Sequence, residues 1–493
     1  MKSTFIFTVI LVILLSCSLS YAQLAQEVDV SGSPNPVGSG ARALGMGGAF
    51  IGVADDATAA SWNPGGLIQL ETPEISVVIS AERLTEERSF RNNPGASGEY
   101  DVTLYDLNYF SLAYPFTWRE RNYIVSLNYQ TLYNFNKTHN YNYQFSNTST
   151  SQIETSLKII DRLTEHSGPR QTSHYTDGYL KAISPAFAVQ ITPAFSLGLT
   201  VNYFHPSSGS EWDTSRSDRF DGQRTETITV SDIPPLPPNP VITETTYSSD
   251  LSTEYFDEYR FESSINPLDI FSKEVSYNVG FLWYINSKFT LGGVYKAPFE
   301  AEIKYREMFG YSLYDVNIAD PTDLVSSSVP LTVISDESQE MHMPASYGLG
   351  LAVRFTDEFS MALDLYRTDW QDFLLRQASG REISLITGQE ISRSNTEATH
   401  QVRVGAEYLF ILKNKYIVPL RGGIFYDPEP TENDPDEFYG FSIGGGLAVG
   451  SIVLDAAYQF RWGSNVRKVR LGNEEIGQDV GQHTVYVSLI YHF

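Results

Sequence analysis

The strongest constraint in this sequence is a two-residue alternation of apolar and polar side chains that recurs along most of the chain. In residues 452–462, large apolar side chains take every second position, and Asp455 and Arg461 lie between them. Because the side chains of a β-strand point alternately to its two faces, each such segment predicts a strand with one apolar and one polar face. Fourteen segments show the pattern: residues 75–82, 102–114, 123–134, 179–191, 196–204, 275–284, 289–297, 346–355, 359–370, 400–410, 416–427, 440–449, 451–462 and 484–493.

The connections between these segments alternate between short and long. Residues 192–194, 286–288, 356–358 and 412–414 are short, whereas residues 137–177, 298–345 and 372–399 are long, and 205–274 is the longest. A soluble β-sandwich also alternates, but its connections need not sort in this way. An even number of strands, short turns at one end and long loops at the other are typical of an outer-membrane barrel. We therefore predict an all-β fold, a 14-stranded antiparallel transmembrane β-barrel with both chain ends in the periplasm.

The first 22 residues have the pattern of a secretory signal peptide. Lys2 precedes an apolar stretch that ends near Leu15, and Ser20 and Ala22 supply small residues before a cleavage site. A lipoprotein signal is the alternative, with Cys17 as the lipidated residue. On the signal-peptide interpretation the mature chain has no cysteine, because Cys17 is the only one, and disulfides and thiol chemistry are excluded.

Charge and composition limit the classes of partner and cofactor that this chain is expected to bind. The formal net charge of −25 argues against a nucleic-acid partner. No cofactor motif or metal-ligand spacing stands out, and we predict neither cofactor nor metal. The acidic run 427–437 offers ligands for Ca²⁺ or Mg²⁺, but it lacks ordered spacing, and a solvated loop is the simpler interpretation.

Residues 37–67 differ from everything that follows. They are rich in Gly, Ala and short polar residues and show no strand alternation. A lumen as wide as that of fourteen strands needs a filler, and Gly and Ala allow close backbone approach. We therefore predict a periplasmic and lumenal hatch over residues 23–74, in which Asp55 or Asp56 caps a short helix, followed by the barrel over residues 75–493.

The same stretch resembles the N-terminal hatch of the FadL/TodX family of outer-membrane transporters for hydrophobic compounds. The resemblance covers residues 38–50, 54–59 and 62–67, and it continues in 347–352, 368–370, 402–408, 419–423 and 455–458. The sequence matches the Asn-Pro-Ala motif of the family at Asn63 and Pro64, but it has Gly65 at the third position, where the family has alanine. The resemblance implies a fourteen-stranded barrel, a hatch in its lumen, and passive uptake of fatty acids or hydrocarbons through a lateral opening.

Two sets of site residues follow. The first lies in the hatch, where Asn63 and Pro64 form either a turn that locks the plug or a gate whose movement opens a path: Gly47, Gly48, Asp55, Asp56, Asn63, Pro64 and Gly65. The second is either an apolar groove between two long loops, where the family collects its substrate, or a set of residues that pack the loops against each other: Ile265, Leu268, Ile270, Phe271, Phe309, Tyr311, Leu313 and Tyr314.

The expected partners are a hydrophobic small molecule, the lipids of the outer membrane, and the barrel assembly machinery, which would recognise the terminal Phe493. The leading hypothesis is a transporter and not an enzyme. A related barrel that acts as a secretion or surface-attachment scaffold is the alternative. A barrel lipase, suggested by His205 and Ser207 or Ser208, is a third possibility that lacks a partnered base.

Overall fold

The computed structural model describes residues 38–154, 158–204, 210–232, 242–261, 272–317, 324–412, 415–471 and 474–493. Two short helices, α1 (Ala41–Gly45) and α2 (Ala59–Trp62), precede the strands, with 3₁₀ helices at Pro64–Gln69, Pro94–Ala96 and Trp370–Asp372. In the described ranges no helix is long and apolar enough to cross a membrane. The strands are β1 (Glu74–Arg88), β2 (Gly98–Trp118), β3 (Arg121–Asn134), β4 (Lys137–Glu154), β5 (Lys158–Thr192), β6 (Phe195–Phe204), β7 (Glu211–Asp232), β8 (Ile242–Phe261), β9 (Val275–Tyr284), β10 (Phe289–Lys296), β11 (Phe299–Asn317), β12 (Leu324–Met343), β13 (Ser346–Arg354), β14 (Phe359–Thr368), β15 (Leu374–Arg376), β16 (Glu382–Ser384), β17 (Thr399–Leu412), β18 (Tyr416–Tyr426), β19 (Tyr439–Val449), β20 (Ile452–Leu471) and β21 (Glu474–His492).

Fourteen of these strands form a closed antiparallel ring. Its order is β1–β2–β3–β5–β6–β9–β10–β13–β14–β17–β18–β19–β20–β21, and β21 then pairs with β1 from Glu74↔His492 to Glu87↔Asp479. Closure leaves the ring with no unpaired edge, which is the condition for a β-structure in lipid. The ring consists of the fourteen predicted segments, so the prediction of a 14-stranded barrel is confirmed.

The two faces of the wall differ as the alternation predicts. On β20, Ile452 and Leu454 are each 49% exposed on the outside, whereas Asp455 and Arg461 are each 2% exposed and face the lumen. Outward aromatic side chains gather near the short turns, where Phe116 stacks on Tyr123 at 5.5 Å. Others gather toward the long connections, on β18, β19 and β20: Tyr426, Tyr439, Phe460 and Trp462. Two aromatic belts around an apolar band are the outer surface of a membrane barrel.

The long connections contain further strands that the sequence analysis treated as loops. They build an extracellular sheet in the order β4–β5–β7–β8–β11–β12–β15–β16. Strand β5 belongs to both structures, because its first half pairs with β4 and β7 and its second half with β3 and β6. The longest predicted loop, 205–274, thus includes the hairpin of β7 and β8.

The wall has a local break beside Pro185. The pairing of β5 with β6 runs to Ile183↔Tyr203 and resumes at Ala186↔Thr200, so Ser184 and Pro185 are skipped. Proline has no backbone N–H to donate to a neighbouring strand. This segment is therefore a point where the wall lacks part of its hydrogen bonding.

Buried ion pairs fasten the acidic connection between β18 and β19 to the wall. Arg461 donates to Asp427 at 3.1 Å and to Glu429 at 2.9 Å, and Arg467 donates to Glu429 at 2.7 Å and also pairs with Glu86. Burial alone would raise the pKa of Glu429, but the guanidinium groups of Arg467 and Arg461 more than offset it and hold that pKa at about 2. This end of the acidic run is thus neither solvated nor free for a metal ion, contrary to the simpler interpretation of the sequence.

We expect Glu429→Gln to destabilise the barrel at neutral pH by about 3 kcal/mol, because it leaves two buried arginines short of an anion. The folded-state pKa lies below the ordinary glutamate value, so the contribution is complete above about pH 4.5 and is lost as the pH falls toward 2. The measurement is the temperature at which folded mobility on gels is lost, recorded against pH. The exposed Asp434 of the same connection supplies the control Asp434→Asn, and an equal effect of both variants would contradict the assignment.

Candidate functional site

Residues 38–70 lie inside the ring. On one side the hydroxyl of Ser442, on β19, donates to the carbonyl of Gly45 at 3.0 Å. On the other side the hydroxyl of Thr200, on β6, donates to the carbonyl of Ala60 at 2.8 Å. Strands β6 and β19 are the fifth and twelfth of the fourteen strands in the ring, so they face each other across the lumen. Residues 38–70 therefore span the lumen, and we call them the lumenal segment.

Glycines on seven wall strands make room for the lumenal segment. At each of these glycines, an added Cβ would lie within 3.0 Å of an atom of the lumenal segment. The segment therefore packs directly on the backbone of the wall strands. They form a glycine collar: Gly198, Gly280, Gly292, Gly350, Gly405, Gly423 and Gly444. The sequence analysis did not connect these glycines with the segment.

Asn63 joins the lumenal segment to itself and to the wall. Its side-chain amide donates to the carbonyl of Ile51 at 2.9 Å and to that of Phe281, on β9, at 2.8 Å. Its side-chain oxygen accepts from the backbone N–H of Gly65 at 3.1 Å, and Pro64 begins the following 3₁₀ helix. The side chain is fully buried, so loss of these bonds would leave three polar groups unpaired.

The departure from the family motif at Gly65 has a steric reason. A Cβ at this position would lie 2.7 Å from the Cα of Phe281, which is closer than real Cβ contacts. Alanine therefore does not fit unless β9 shifts. Gly47 and Gly48 have φ angles of +69° and +75°, so the predicted glycine pair forms a turn that other residues adopt at a cost.

A chain of ion pairs ties the segment to the wall on the side of β17 to β20. Arg42 donates to Asp55 at 2.6 Å and, through two nitrogens, to Glu407 at 2.9 and 3.0 Å. Glu407 also accepts from Arg421 at 2.6 Å, and Arg421 donates to Asp455 at 2.6 Å. Of the predicted pair of aspartates, Asp55 therefore acts as an ion-pair partner.

The predicted capping role of Asp55 or Asp56 is wrong. Helix α2 has Thr58 at its N-cap position and no side-chain cap. Asp56 instead accepts from the backbone N–H of Thr58 at 2.8 Å and so closes the turn before the helix.

Two wall residues that the sequence analysis did not single out also hold the segment. Asp364, on β14, accepts from the backbone N–H groups of Phe50 at 2.6 Å and Ile51 at 2.7 Å. Arg403, on β17, donates to the carbonyl of Gly47 at 3.0 Å and lies 3.5 Å from Asp427. Both are charged residues in the middle of predicted strands on the lumenal face, and that position was the available signal.

A large apolar cluster lies in the lumen on the extracellular side of the segment. Phe204 stacks on Phe299 with ring centroids 4.4 Å apart, and the indole of Trp370 donates to the hydroxyl of Thr399 at 3.0 Å. The apolar cluster is formed by Tyr133, Phe135, Leu180, Ala182, Phe204, Tyr259, Phe261, Phe299, Ala301, Ile303, Tyr305, Met341, Met343, Trp370, Phe373, Leu375 and Leu385. Several of its members come from connections treated as loops, and one of them, Trp370, belongs to the family-like stretch 368–370.

A row of buried polar residues adjoins the apolar cluster. Five adjacent wall strands bring them side by side in register, and the hydrogen bond from Trp370 to Thr399 marks the contact with the cluster. The polar row is Asn278, Lys296, Ser346, Thr368 and Thr399. Among the described residues, the Nδ2 of Asn278 and the hydroxyls of Ser346 and Thr368 have no hydrogen-bond partner. The Lys296 ammonium, 5.9 Å from the ring centroid of Tyr366, is the cation of the row.

The predicted capture groove is only partly covered by the description. Phe309 and Tyr311 lie on β11 with ring centroids 6.1 Å apart, and Tyr311 packs against Phe220 and Leu251. Neither belongs to the apolar cluster. Leu313 and Tyr314 continue β11, but their side chains lie outside the described part. The remaining residues of the predicted groove lie outside the described ranges: Ile265, Leu268, Ile270 and Phe271. His205, Ser207 and Ser208, on which the lipase hypothesis rests, also lie outside the described ranges.

One group in the described part of the chain has the side chains to bind a metal ion. The potential ligand atoms of Glu300, Glu340 and His342 lie within 4.8 Å of one another. Lys273 already pairs with Glu300 at 2.8 Å and Arg376 with Glu340 at 3.2 Å. Because the two carboxylates are neutralised, this arrangement gives no argument for a metal site.

A closed ring with an apolar outer band and a segment packed in its lumen defines an outer-membrane barrel protein. The chain belongs to the family of outer membrane protein transport proteins (OMPP1/FadL/TodX), whose model matches residues 35–466. The resemblance noted in the sequence is thereby confirmed, and so is the outer membrane as the location. No curated protein matches the chain.

Several solved structures are similar to the chain. A Pseudomonas aeruginosa FadL homologue is 15% identical, with 92% of this chain and 98% of that chain covered and a TM-score of 0.51. The Pseudomonas putida toluene transporter TodX is 14% identical, with 93% and 98% covered and a TM-score of 0.48. The Ralstonia pickettii toluene transporter TbuX is 13% identical, with 93% and 99% covered and a TM-score of 0.44. At such identities the first of these supports a shared fold and says nothing of the cargo.

We expect Gly280→Ala to raise the ion conductance of the barrel in planar bilayers. The new methyl group would overlap the side-chain oxygen of Asn63 and lie 2.8 Å from the Cδ of Pro64, so the segment must shift. Gly422→Ala is the matched control, because a Cβ there meets nothing nearer than 3.8 Å. Equal conductance of the two variants and the parent would contradict the role of the glycine collar.

Proposed function

We propose that this protein carries hydrophobic small molecules passively across the outer membrane and performs no covalent chemistry. The observation that carries the proposal is the stacking of three layers in one lumen: the apolar cluster, the polar row, and the lumenal segment. An apolar cargo gains from leaving water for the cluster, and the segment prevents free passage of solutes. Membership of a transport family agrees with this arrangement.

The lumenal segment acts as the hatch in this proposal. It is held by hydrogen bonds and ion pairs, and its buried apolar side chains also pack on Ile124 and on alanines of the wall. Asn63 contacts β9, Asp364 holds Phe50 and Ile51, and Arg42 pairs with Glu407. The polar contacts can be exchanged for contacts with water when the hatch shifts.

The cargo enters from outside and leaves through the wall. We propose that Phe309 and Tyr311, with Leu313, Tyr314 and the apolar residues 265–271, first capture it from the extracellular side. The break beside Pro185 is the proposed lateral exit, because fewer backbone hydrogen bonds need to be broken there. The signal peptide over residues 1–22, the hatch over 23–74 and the recognition of Phe493 during assembly remain part of the same proposal.

The polar row favours an amphiphilic cargo with an anionic head, such as a fatty acid, over a pure hydrocarbon. The Lys296 ammonium and the hydroxyls of Ser346 and Thr368 offer donors to a carboxylate, while the adjoining apolar cluster offers space for a chain. A hydrocarbon makes no use of these donors. Buried hydroxyl and amide groups that have no partner among the described residues cost free energy unless a ligand or water compensates them.

The test of the cargo is uptake of a labelled long-chain fatty acid and of a labelled aromatic hydrocarbon by cells with and without this protein. We expect uptake of the fatty acid to depend on the protein. Lys296→Met should lower it about tenfold, as loss of a charge-assisted hydrogen bond predicts, and should leave any hydrocarbon uptake unchanged. The exposed Lys288 supplies the control Lys288→Met.

Two results would decide against this assignment. If neither compound enters faster with the protein than without it, transport is wrong and the scaffold alternative gains. If Lys296→Met and Lys288→Met behave alike, the polar row does not bind the head group.

The path that the cargo takes can be tested separately from its chemical identity by tethering the hatch to the wall. Ala60→Cys with Thr200→Cys replaces the hydrogen bond between the segment and β6 by a covalent link, formed by oxidation or by a short bismaleimide. The natural Cys17 is the only other cysteine in the chain. We expect uptake of the fatty acid to persist after tethering, because the cargo leaves laterally. A disulfide tether that stops uptake, and whose reduction restores it, would place the route past the hatch.

A further inference from the structure

A polar cleft on the extracellular side is not explained by transport of hydrophobic compounds. It has a volume of about 430 Å³ and lies between the connection after β1 and the sheet of β4, β5 and β7. Its lining residues include Asn142, Gln171, Arg219 and Asp221. The cleft contains no residue of the hatch, of the apolar cluster or of the polar row.

The floor of the cleft is a row of side chains in register. Asn142 on β4 lies opposite Gln171 on β5, and Gln171 lies opposite Arg219 on β7. All three are exposed. Neighbouring strands lie about 4.8 Å apart, so the row presents amide, amide and guanidinium groups at that spacing. This is close to the separation of hydroxyl groups across a sugar ring.

The wall of the cleft is held against the floor. The connection after β1 passes over β4 so closely that a Cβ on Gly95 would lie 3.1 Å from the carbonyl oxygen of Asn142. Arg219 is oriented by an ion pair with Asp221 at 2.8 Å, and 61% of its side chain remains exposed. Behind the floor, Arg170 is fixed by Asp218 at 2.8 Å. Arg219 is therefore placed before any ligand arrives.

The chemistry of these groups selects the ligand. Each primary amide offers two donors and one acceptor, which matches hydroxyl groups that both donate and accept. Pro94 and Pro169, also in the lining, supply small apolar surfaces for the C–H face of a ring. A fatty acid or hydrocarbon would leave the amides unpaired, and the carboxylate of Asp221 disfavours a phosphate or sulfate as the sole ligand.

We propose that this cleft binds a saccharide, through hydrogen bonds from Asn142, Gln171 and Arg219 to ring hydroxyls. Two sources present such rings at this surface: the oligosaccharide of lipopolysaccharide in the outer leaflet, and free polysaccharide outside the cell. The proposal does not depend on the cargo of the barrel.

The test is saturation-transfer difference NMR on the full barrel in detergent micelles. The probes are core oligosaccharide released from lipopolysaccharide by mild acid, and maltoheptaose as a neutral free sugar. We expect saturation transfer to at least one probe. The double variant Gln171→Ala with Arg219→Ala should weaken that binding at least about tenfold, as loss of two hydrogen bonds predicts.

The exposed Gln152 lies on β4 outside the cleft, and Gln152→Ala is the matched control. All variants should keep the heat-modifiable mobility of the folded barrel. Binding of the core oligosaccharide alone assigns the site to the glycolipid, and binding of maltoheptaose alone assigns it to free sugars. No transfer to either probe at millimolar concentration, or transfer that the double variant leaves unchanged, overturns the proposal.

Discussion

Closure of the backbone hydrogen-bond ladder is the constraint on which the rest of this structure depends. In a membrane every backbone N–H and C=O must find a partner within the protein, and the pairing of β21 with β1 completes that requirement. Fourteen strands, however, enclose a lumen wider than inward side chains alone can fill. The chain meets both conditions with one sequence, because the residues before β1 return into the lumen that the strands enclose.

The lumen is filled in two different ways along its height. At the level of the hatch, backbone meets backbone through the glycine collar, and the remaining polar groups pair through Asp364, Arg403 and Glu407. On the extracellular side, aromatic and aliphatic side chains of the wall and of the hairpins form the apolar cluster. The hatch also buries apolar side chains, among them Phe50, Trp62 and Leu67, against Ile124 and alanines of the wall. Displacing the whole hatch therefore costs hydrophobic free energy in addition to its polar contacts.

The wall was predictable from the sequence, since the alternation that defines it is local. All fourteen segments appear as wall strands, and the stretch around Asn63 and Pro64 lies in the lumen. The extracellular sheet was not predictable in the same way. Strand β7, for example, carries Thr, Asp and Arg on both faces, and its four apolar residues, Trp212, Phe220, Ile228 and Val230, are too widely spaced to mark an apolar face. Asp364 and Arg403 were also missed, because a charge on a lumenal face looks the same whether it meets water or the hatch.

The position of the ion pairs explains how one lumen can hold both a fixed hatch and a passage. Arg42, Glu407, Arg421 and Asp455 form a chain whose inner members are almost fully buried, on the side of β17 to β20. The break beside Pro185 lies on the opposite side, between β5 and β6. A buried pair is costly to separate because each ion left alone keeps its desolvation penalty. The ion pairs are absent from the described contacts of the hatch near Asn63 and Pro64, on the side of the gap beside Pro185. A similar gap in the strand pairing lies beside Pro419, between β18 and β19, and there the ion pairs bind the hatch to the neighbouring wall.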